Sequence, residues 1–565
     1  MIPNPFPDRL AIRGARRIEM NCKAVVSHRL AKRYARIGQA LLVVAVLLIG
    51  SVAYIAAQET TRSRRAPAQP TAPGERADHL NPMNAPDDLF WPLPASATAY
   101  GSIDGRHIKT YVEELAAIAR KRRDTGNQFW GRIAGTDSAD ETGRWIEEKL
   151  KKAGLEVRLD EFVLPVQKIP RSWEVNVKGP DGKILKLTSA YPSPLGCCNN
   201  FTPVTPDSGA ELEMKWVGLG MASDFIKAGD VRGKAVFVYA YEVQGGFSQS
   251  TIFLGTARRA IEQGAAALVV VMPLPGNMSQ VLPMVGIGTP AGSKPIPMFS
   301  IGNKDGLAVE ALVASSMSAG GKAPTVQMRL TVDTVTNRKS SNVVGILPGQ
   351  TDEYEIVTTH SDGFFEGAND NAAGTAALVG LAEYFAKVPK QQRRRTMYFI
   401  GTQSHHGGSQ GDILIHDSMK DVLAKTAIII NPEHVSVMQP YDHRNANREE
   451  KFYRSNALGA SLFGVNGSNT LAKLVIGDFA LFGVPTETDP FNVPGTLGHY
   501  QFDAPSLFLQ NKGTYYHLSA DSTDIVPAAG LEGATRALAK ILDDVNKHDL
   551  KDLRPASEQA KAAQR

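Results

Sequence analysis

Short apolar segments, each leading into a polar cluster and divided from the next by a helical stretch, constrain this 565-residue chain more than any other feature. The segments are Ser341 to Leu347, Tyr354 to Thr359, Thr396 to Gly401, Ala427 to Asn431 and Ser506 to Leu509. Helix-period stretches such as Ala372 to Lys387 lie between several of them. Strands alternating with helices predict an α/β fold, with a mostly parallel central sheet flanked by helices on both faces. Ligands of such sheets sit beyond the carboxyl ends of the strands. The polar residues that follow the strands are therefore the ones to inspect for chemistry.

Upstream, helical periodicity marks His107 to Arg123 and Asp140 to Ala153, the second stopped by Gly154 and followed by the strand-like Leu155 to Leu164. The texture changes between about 201 and 332, where Gly and Pro are frequent. Here short β runs such as Lys234 to Tyr241 stand beside a helix-to-strand unit at Thr256 to Met272. This segment reads as an inserted, β-rich domain. Leu531 to Lys547 has the pattern of a closing helix. The expected organisation is a basic tail (1–36), a membrane or signal segment (37–58), a linker (59–104), a catalytic domain (105–200 and 333–548) around the insert (201–332), and a polar tail (549–565).

Leu41 to Ala57 is uncharged and apolar all round, and a Pro/Ala/Arg-rich linker follows it. Nine Lys or Arg between Arg9 and Arg36 face only Asp8 and Glu19. Basic flanks stay cytoplasmic, so the chain beyond the segment is expected on the outer side of the membrane, periplasmic or extracellular, on a single-pass anchor. A start at Met20 would make the same stretch a signal peptide and the protein secreted. The tail supplies the net charge of +5, and outside it the balance is slightly acidic, which argues against a nucleic-acid partner. The three cysteines, Cys22 and the adjacent Cys197 and Cys198, make no disulfide scaffold.

The segment ending at Thr359 runs into His360, Ser361 and Asp362, and Asp370 follows a short loop later, between Asn369 and Asn371. The next strand leads to His405 and His406, the next to Asn431, Pro432, Glu433 and His434, and the last to Tyr515, Tyr516 and His517. Imidazole and carboxylate are the groups zinc takes, and a two-metal site needs a carboxylate to bridge ions about 3.5–4 Å apart. An isolated histidine at a strand end is ordinarily a hydrogen-bonded structural residue. That reading holds for His416 and His434, although His434 could replace Glu433 as a ligand. Asn369 and Asn371 read as caps of the following helix, and Arg393 to Arg395 as a solvated turn.

At these residues the sequence resembles the two-zinc metallopeptidase family of aminopeptidase S, aminopeptidase Y and glutamate carboxypeptidase II. Gly131 to Thr136 (GRIAGT) and Ser341 to Gly349 (SNVVGILPG) add to the likeness, and the insert resembles a protease-associated domain. The resemblance implies a zinc exopeptidase-like fold and one or two Zn²⁺ ions acting on a peptide or related amide. It implies His360 on one metal, Asp370 bridging, His517 on the second, and Asp362 orienting His360. Glu433 stands where the family has an aspartate on the first metal, and Tyr516 where a tyrosine holds the oxyanion. The family's paired glutamates are replaced: His406 falls on the second metal's ligand and His405 on the general base. Neutral imidazole can do both tasks. Two other readings stay open on the same architecture, a non-catalytic receptor like the transferrin receptor and an enzyme acting on a non-peptide amide. Oligomeric state is not legible.

Overall fold

The computed structural model describes residues 89–195, 199–241, 255–282, 294–318, 321–444, 450–488, 496–497, 500–501, 504–511 and 515–555. The expected basic tail, the apolar segment 37–58 and Cys197–Cys198 lie outside the described residues. Among the described residues, no helix is long and apolar enough to cross a membrane.

The central sheet contains β1 (Glu156–Val163), β2 (Lys339–Leu347), β3 (Tyr354–His360), β4 (Thr396–Thr402), β5 (Thr426–Glu433), β6 (Ser461–Asn466), β7 (Thr486–Thr488) and β8 (Ser506–Asn511). They run in the order β7-β6-β8-β5-β3-β4-β2-β1. Its centre, β4-β3-β5-β8, is parallel throughout, while β2 is antiparallel to both β4 and β1, and β6 to β8. The parallel strands are continuous apolar runs because both of their faces are covered. Accordingly β5 is buried along its whole length and β3 from its second residue onward.

The covering helices are α1 (Gly105–Asp124), α2 (Asp137–Ala153), α3 (Gly374–Ala386), α4 (Gln410–Ser418), α5 (Asn469–Leu481) and α6 (Ala528–Val545). On α1 the buried residues Ile108, Tyr111, Val112, Leu115 and Ala119 recur at helical spacing and form one stripe. The Asp104 side chain caps this helix by accepting the Arg106 N–H at 2.8 Å. Gly154, at φ 95°, ends α2 in the left-handed conformation that turns the chain back into β1. Residues of α1, α2, α3 and α6 form one core with Val357 and Phe399 of the sheet. On the other face Ile415 of α4 packs with Ile356, Ile400 and Ile429. The covered, mostly parallel sheet expected from the sequence is the one found.

A second eight-stranded sheet takes its strands from residues 167–335, on both sides of position 201. Gln167–Lys178 and Thr325–Val335, the first and last of these strands along the chain, pair antiparallel with each other near one edge of the sheet. Its core is continuous with the first part of the molecule: Phe129, Phe364 and Phe365 pack in the same cluster as Phe237, Val269 and Phe299.

The arginine run is not a solvated turn. Arg395 is fully buried, pairing with Glu353 at 2.8 Å and donating to the carbonyls of Val545 and His548. Arg393 donates to the carbonyls of Phe385 and Val388. These guanidiniums terminate α3 and α6 by taking up carbonyls that a helix end leaves without partners.

Candidate metal centre

The carboxyl ends of β3, β4 and β5 and the turn after β8 deliver His360, His406, Glu433, His434 and His517 around one carboxylate, Asp370, which enters from the loop before α3. All six side chains are buried. From Oδ1 of Asp370, the ring nitrogens Nε2 of His434, His360 and His406 lie at 3.0, 3.5 and 3.7 Å. Nε2 of His517 lies 3.1 Å from Oδ2. Glu433 Oε1 is 3.8 Å from His360 Nε2 and 3.9 Å from His434 Nε2.

None of these contacts is a hydrogen bond. Both carboxylate oxygens of Asp370, and Nε2 of His360, His406, His434 and His517, are buried without a hydrogen-bond partner in the protein. So many uncompensated polar atoms aimed at one point would cost several kcal/mol unless a cation took their lone pairs. The donor set, neutral imidazole and carboxylate oxygen, is the one zinc takes. Among the described residues, two groups of side chains meet the spacing for an ion, His360 with Asp370 and His406, and His360 with Glu433 and His434.

Each donor is held from behind. His360 Nδ1 faces the Asp362 carbonyl at 3.1 Å and the Asp362 carboxylate at 3.5 Å. That carboxylate also accepts the backbone N–H groups of His405 and His406, at 3.0 and 2.8 Å, so Asp362 fixes three histidines at once. Glu433 accepts from the Asn431 and Gln510 amides. His517 Nδ1 lies 3.1 Å from the carbonyl of Val281, a residue of the segment that carries the second sheet. Asp521 accepts the N–H groups of Asn369 and Asp370 and so shapes the loop bearing the central carboxylate. Buried Arg132 donates to the carbonyls of Ser361, Glu366 and Gly367 around the same loop.

Electrostatically the centre is an ion cluster out of water. Burial works against the charge of Asp370, but the imidazoles of His434, His406 and His517 hold its carboxyl well below the usual range. Burial pushes His517 down to about 4, against the pull of Asp370, which leaves its ring neutral and able to ligate. Burial likewise raises the Tyr516 phenol, and Asp370 and Glu433 add to the shift, so it stays protonated as a donor.

Of the residues singled out in the sequence, His360, Asp370, His406, Glu433 and His517 meet in one place, with Asp362 behind them. His405 stands at the partly exposed rim, its ring stacked on that of His360 with centroids 4.2 Å apart. The Tyr516 ring stacks on His517 and lies 6.3 Å, centroid to centroid, from His434. Asn371 behaves as a cap, accepting the Gly374 N–H at 3.1 Å, and also accepts the His434 N–H at 3.2 Å. His416 lies on the surface beside Asp417. Sequence reasoning missed Asp521, gave Arg132 no role of its own within its motif, and read His434 as structural, with replacement of Glu433 as the alternative. Strand alternation sends neighbours such as Glu433 and His434 to opposite faces. His434, however, lies one residue past β5 with φ 52°, a left-handed turn that swings its ring back to the site.

The parallel-centred sheet with an imidazole and carboxylate cluster at its carboxyl edge defines a mixed α/β protein of the zinc aminopeptidase-like fold. Residues 342–542 match the model of Peptidase family M28, and this part of the chain is a Peptidase M28 domain. Zinc aminopeptidases of that family are metallohydrolases of the peptidase class. Aminopeptidase YwaD of Bacillus subtilis (strain 168) is 26% identical over 276 residues, which cover 47% of this chain and 50% of that protein. The chain thus spans about half the length of that curated relative. Among solved structures, a Peptidase M28 precursor from Shewanella amazonensis SB2B has a TM-score of 0.61 at 18% identity, covering 84% of this chain and 99% of its own. BSAP, a zinc aminopeptidase from Bacillus subtilis, has a TM-score of 0.54 at 18% identity, covering 82% and 99%. At that identity these two likenesses concern the fold.

Proposed function

We propose that the protein is a metal-dependent exopeptidase, cleaving peptide or related amide bonds with an altered general base. The observation that carries this is the convergence of buried, partnerless imidazole nitrogens on Asp370. His360 and Glu433 would hold one zinc ion and His406 and His517 a second, with Asp370 available to both. Bound there, zinc supplies Lewis-acid polarisation of a carbonyl and acidifies water. His405, at the rim, accepts the proton of the attacking water, a task that a neutral imidazole performs. The protonated Tyr516 phenol donates to the oxyanion. Asp362 keeps His360, His405 and His406 in register. The second sheet serves as a protease-associated domain, and Leu41 to Ala57 tethers the protein with its catalytic part on the outer side of the membrane.

The purified protein is expected to contain zinc by elemental analysis and to release nitroaniline from aminoacyl nitroanilides. His405→Ala should lower turnover by about 10²–10⁴-fold with metal content unchanged, the usual worth of a general base. Asp370→Ala should lose both metals. A protein that takes up no metal and hydrolyses no amide would be a binding module instead.

A further inference from the structure

We infer that His434 is a protein ligand of the first metal position, so that this position is closed by four side chains while the second keeps a place for substrate. The inference rests on the proposed metal-bound reading and places His434 beside Glu433 as a ligand, where the sequence offers it only as structural or as a replacement for Glu433.

The ring of His434 is buried, and its Nε2 lies 3.0 Å from Asp370 Oδ1 and 3.9 Å from Glu433 Oε1. His360 Nε2 faces the same two oxygens at 3.5 and 3.8 Å. Metal-ligand bonds of ~2.0–2.2 Å in a tetrahedron require donor separations of about 3.3–3.6 Å, and these four edges bracket that range. A change of a few tenths of an ångström at each edge encloses an ion. The backbone supports the placement, since the His434 N–H is bonded to the Asn371 side chain beside Asp370 and its carbonyl accepts the Asn511 N–H at 3.0 Å. Ligation through Nε2 requires the proton on Nδ1. The group facing Nδ1 is the Gln510 amide at 3.4 Å; a half-turn presents its oxygen instead and gives up its bond to Glu433 Oε1, an oxygen that the ion would then take.

His434 also answers a problem of charge. Only Asp370 and Glu433 supply negative charge directly to the donor set, so another strong neutral donor offsets the lost carboxylates at the first position. On the proposed assignment the second position would have His406, His517 and Asp370, three protein ligands and one open place, the arrangement of catalytic zinc sites, whereas four protein ligands mark structural ones.

The test is cobalt titration of the metal-depleted full-length protein, following stoichiometry, affinity and the visible absorption of tetrahedral cobalt. His434→Gln is the decisive variant, because its amide can still donate to Asp370 but binds metal poorly. His434→Ala is the companion, with circular dichroism confirming that each variant is folded. Both should lose affinity for one of two ions by more than about 10-fold, the least that losing even an outer partner costs. The other ion should be retained. If Gln preserves both affinities and the absorption, His434 is only a hydrogen-bonding neighbour and the inference fails, while the metal-bound reading stands. A wild-type protein that binds no cobalt overturns both.

Discussion

Glu355, the second residue of β3, sits fully buried, and among the described residues its Oε1 has no hydrogen-bond partner and its Oε2 is reached by the Asn546 amide at 3.4 Å. Burial raises its pKa from the ordinary value of 4.5 to about 8, against the pull of Arg395. The folded protein therefore holds a proton that the unfolded chain releases above pH ~4.5, and stability attributable to this group falls as pH rises from there toward ~8. Glu355→Gln should flatten that dependence. Denaturant midpoints at about pH 5 and about pH 8 check it, and equal slopes for both proteins would remove Glu355 as the cause. At this scale the sequence was legible where chemistry is local. A histidine or carboxylate at a strand's carboxyl end could be singled out from order alone. The place of Arg395 could not, and His434 could be read only as a stand-in for Glu433 and not as a donor beside it, because a single left-handed residue and two distant helix ends decide where they point.

Between single residues and the whole molecule, the loop carrying Asp370 shows how elements build the centre. The short strand Gly131–Arg132 pairs antiparallel with Gly363–Phe364, and a methyl group on Gly363 would collide with the carbonyl oxygen of Asp370 and lie 3.0 Å from the Arg132 guanidinium. Gly363→Ala should cost about 1–3 kcal/mol of stability, as overpacking does, and weaken metal binding by displacing Asp370. Denaturation and metal titration of the same sample measure both, and an unchanged metal affinity would show that the loop adjusts freely. The elements themselves were readable from period, since α1, α2, α3 and the parallel strands follow helical spacing or continuous apolar runs. The long strand Gln167–Lys178 was not, because its inside-outside alternation breaks near Pro170, where the pairing with Thr325–Val335 shifts register.

For the whole molecule, the two sheets share both a core and a site. Phe129, Phe364 and Phe365 bury themselves among residues of the second sheet, and the Val281 carbonyl orients His517. Excising residues 201–332 should therefore expose apolar surface, read as increased dye binding, and lower metal uptake, so that the remainder is no free-standing enzyme. A stable, fully loaded remainder would refute this interdependence. The backing of His517 joins positions 236 residues apart in the chain. Contacts so distant close late in folding, because the loop entropy must be overcome before they return anything. A ligand whose orientation depends on such a contact is among the last to be set. On the proposed metal-bound reading maturation then has an order, in which the polypeptide folds first and takes up metal last. In a cell, metal supply would act as a final checkpoint on an already assembled protein.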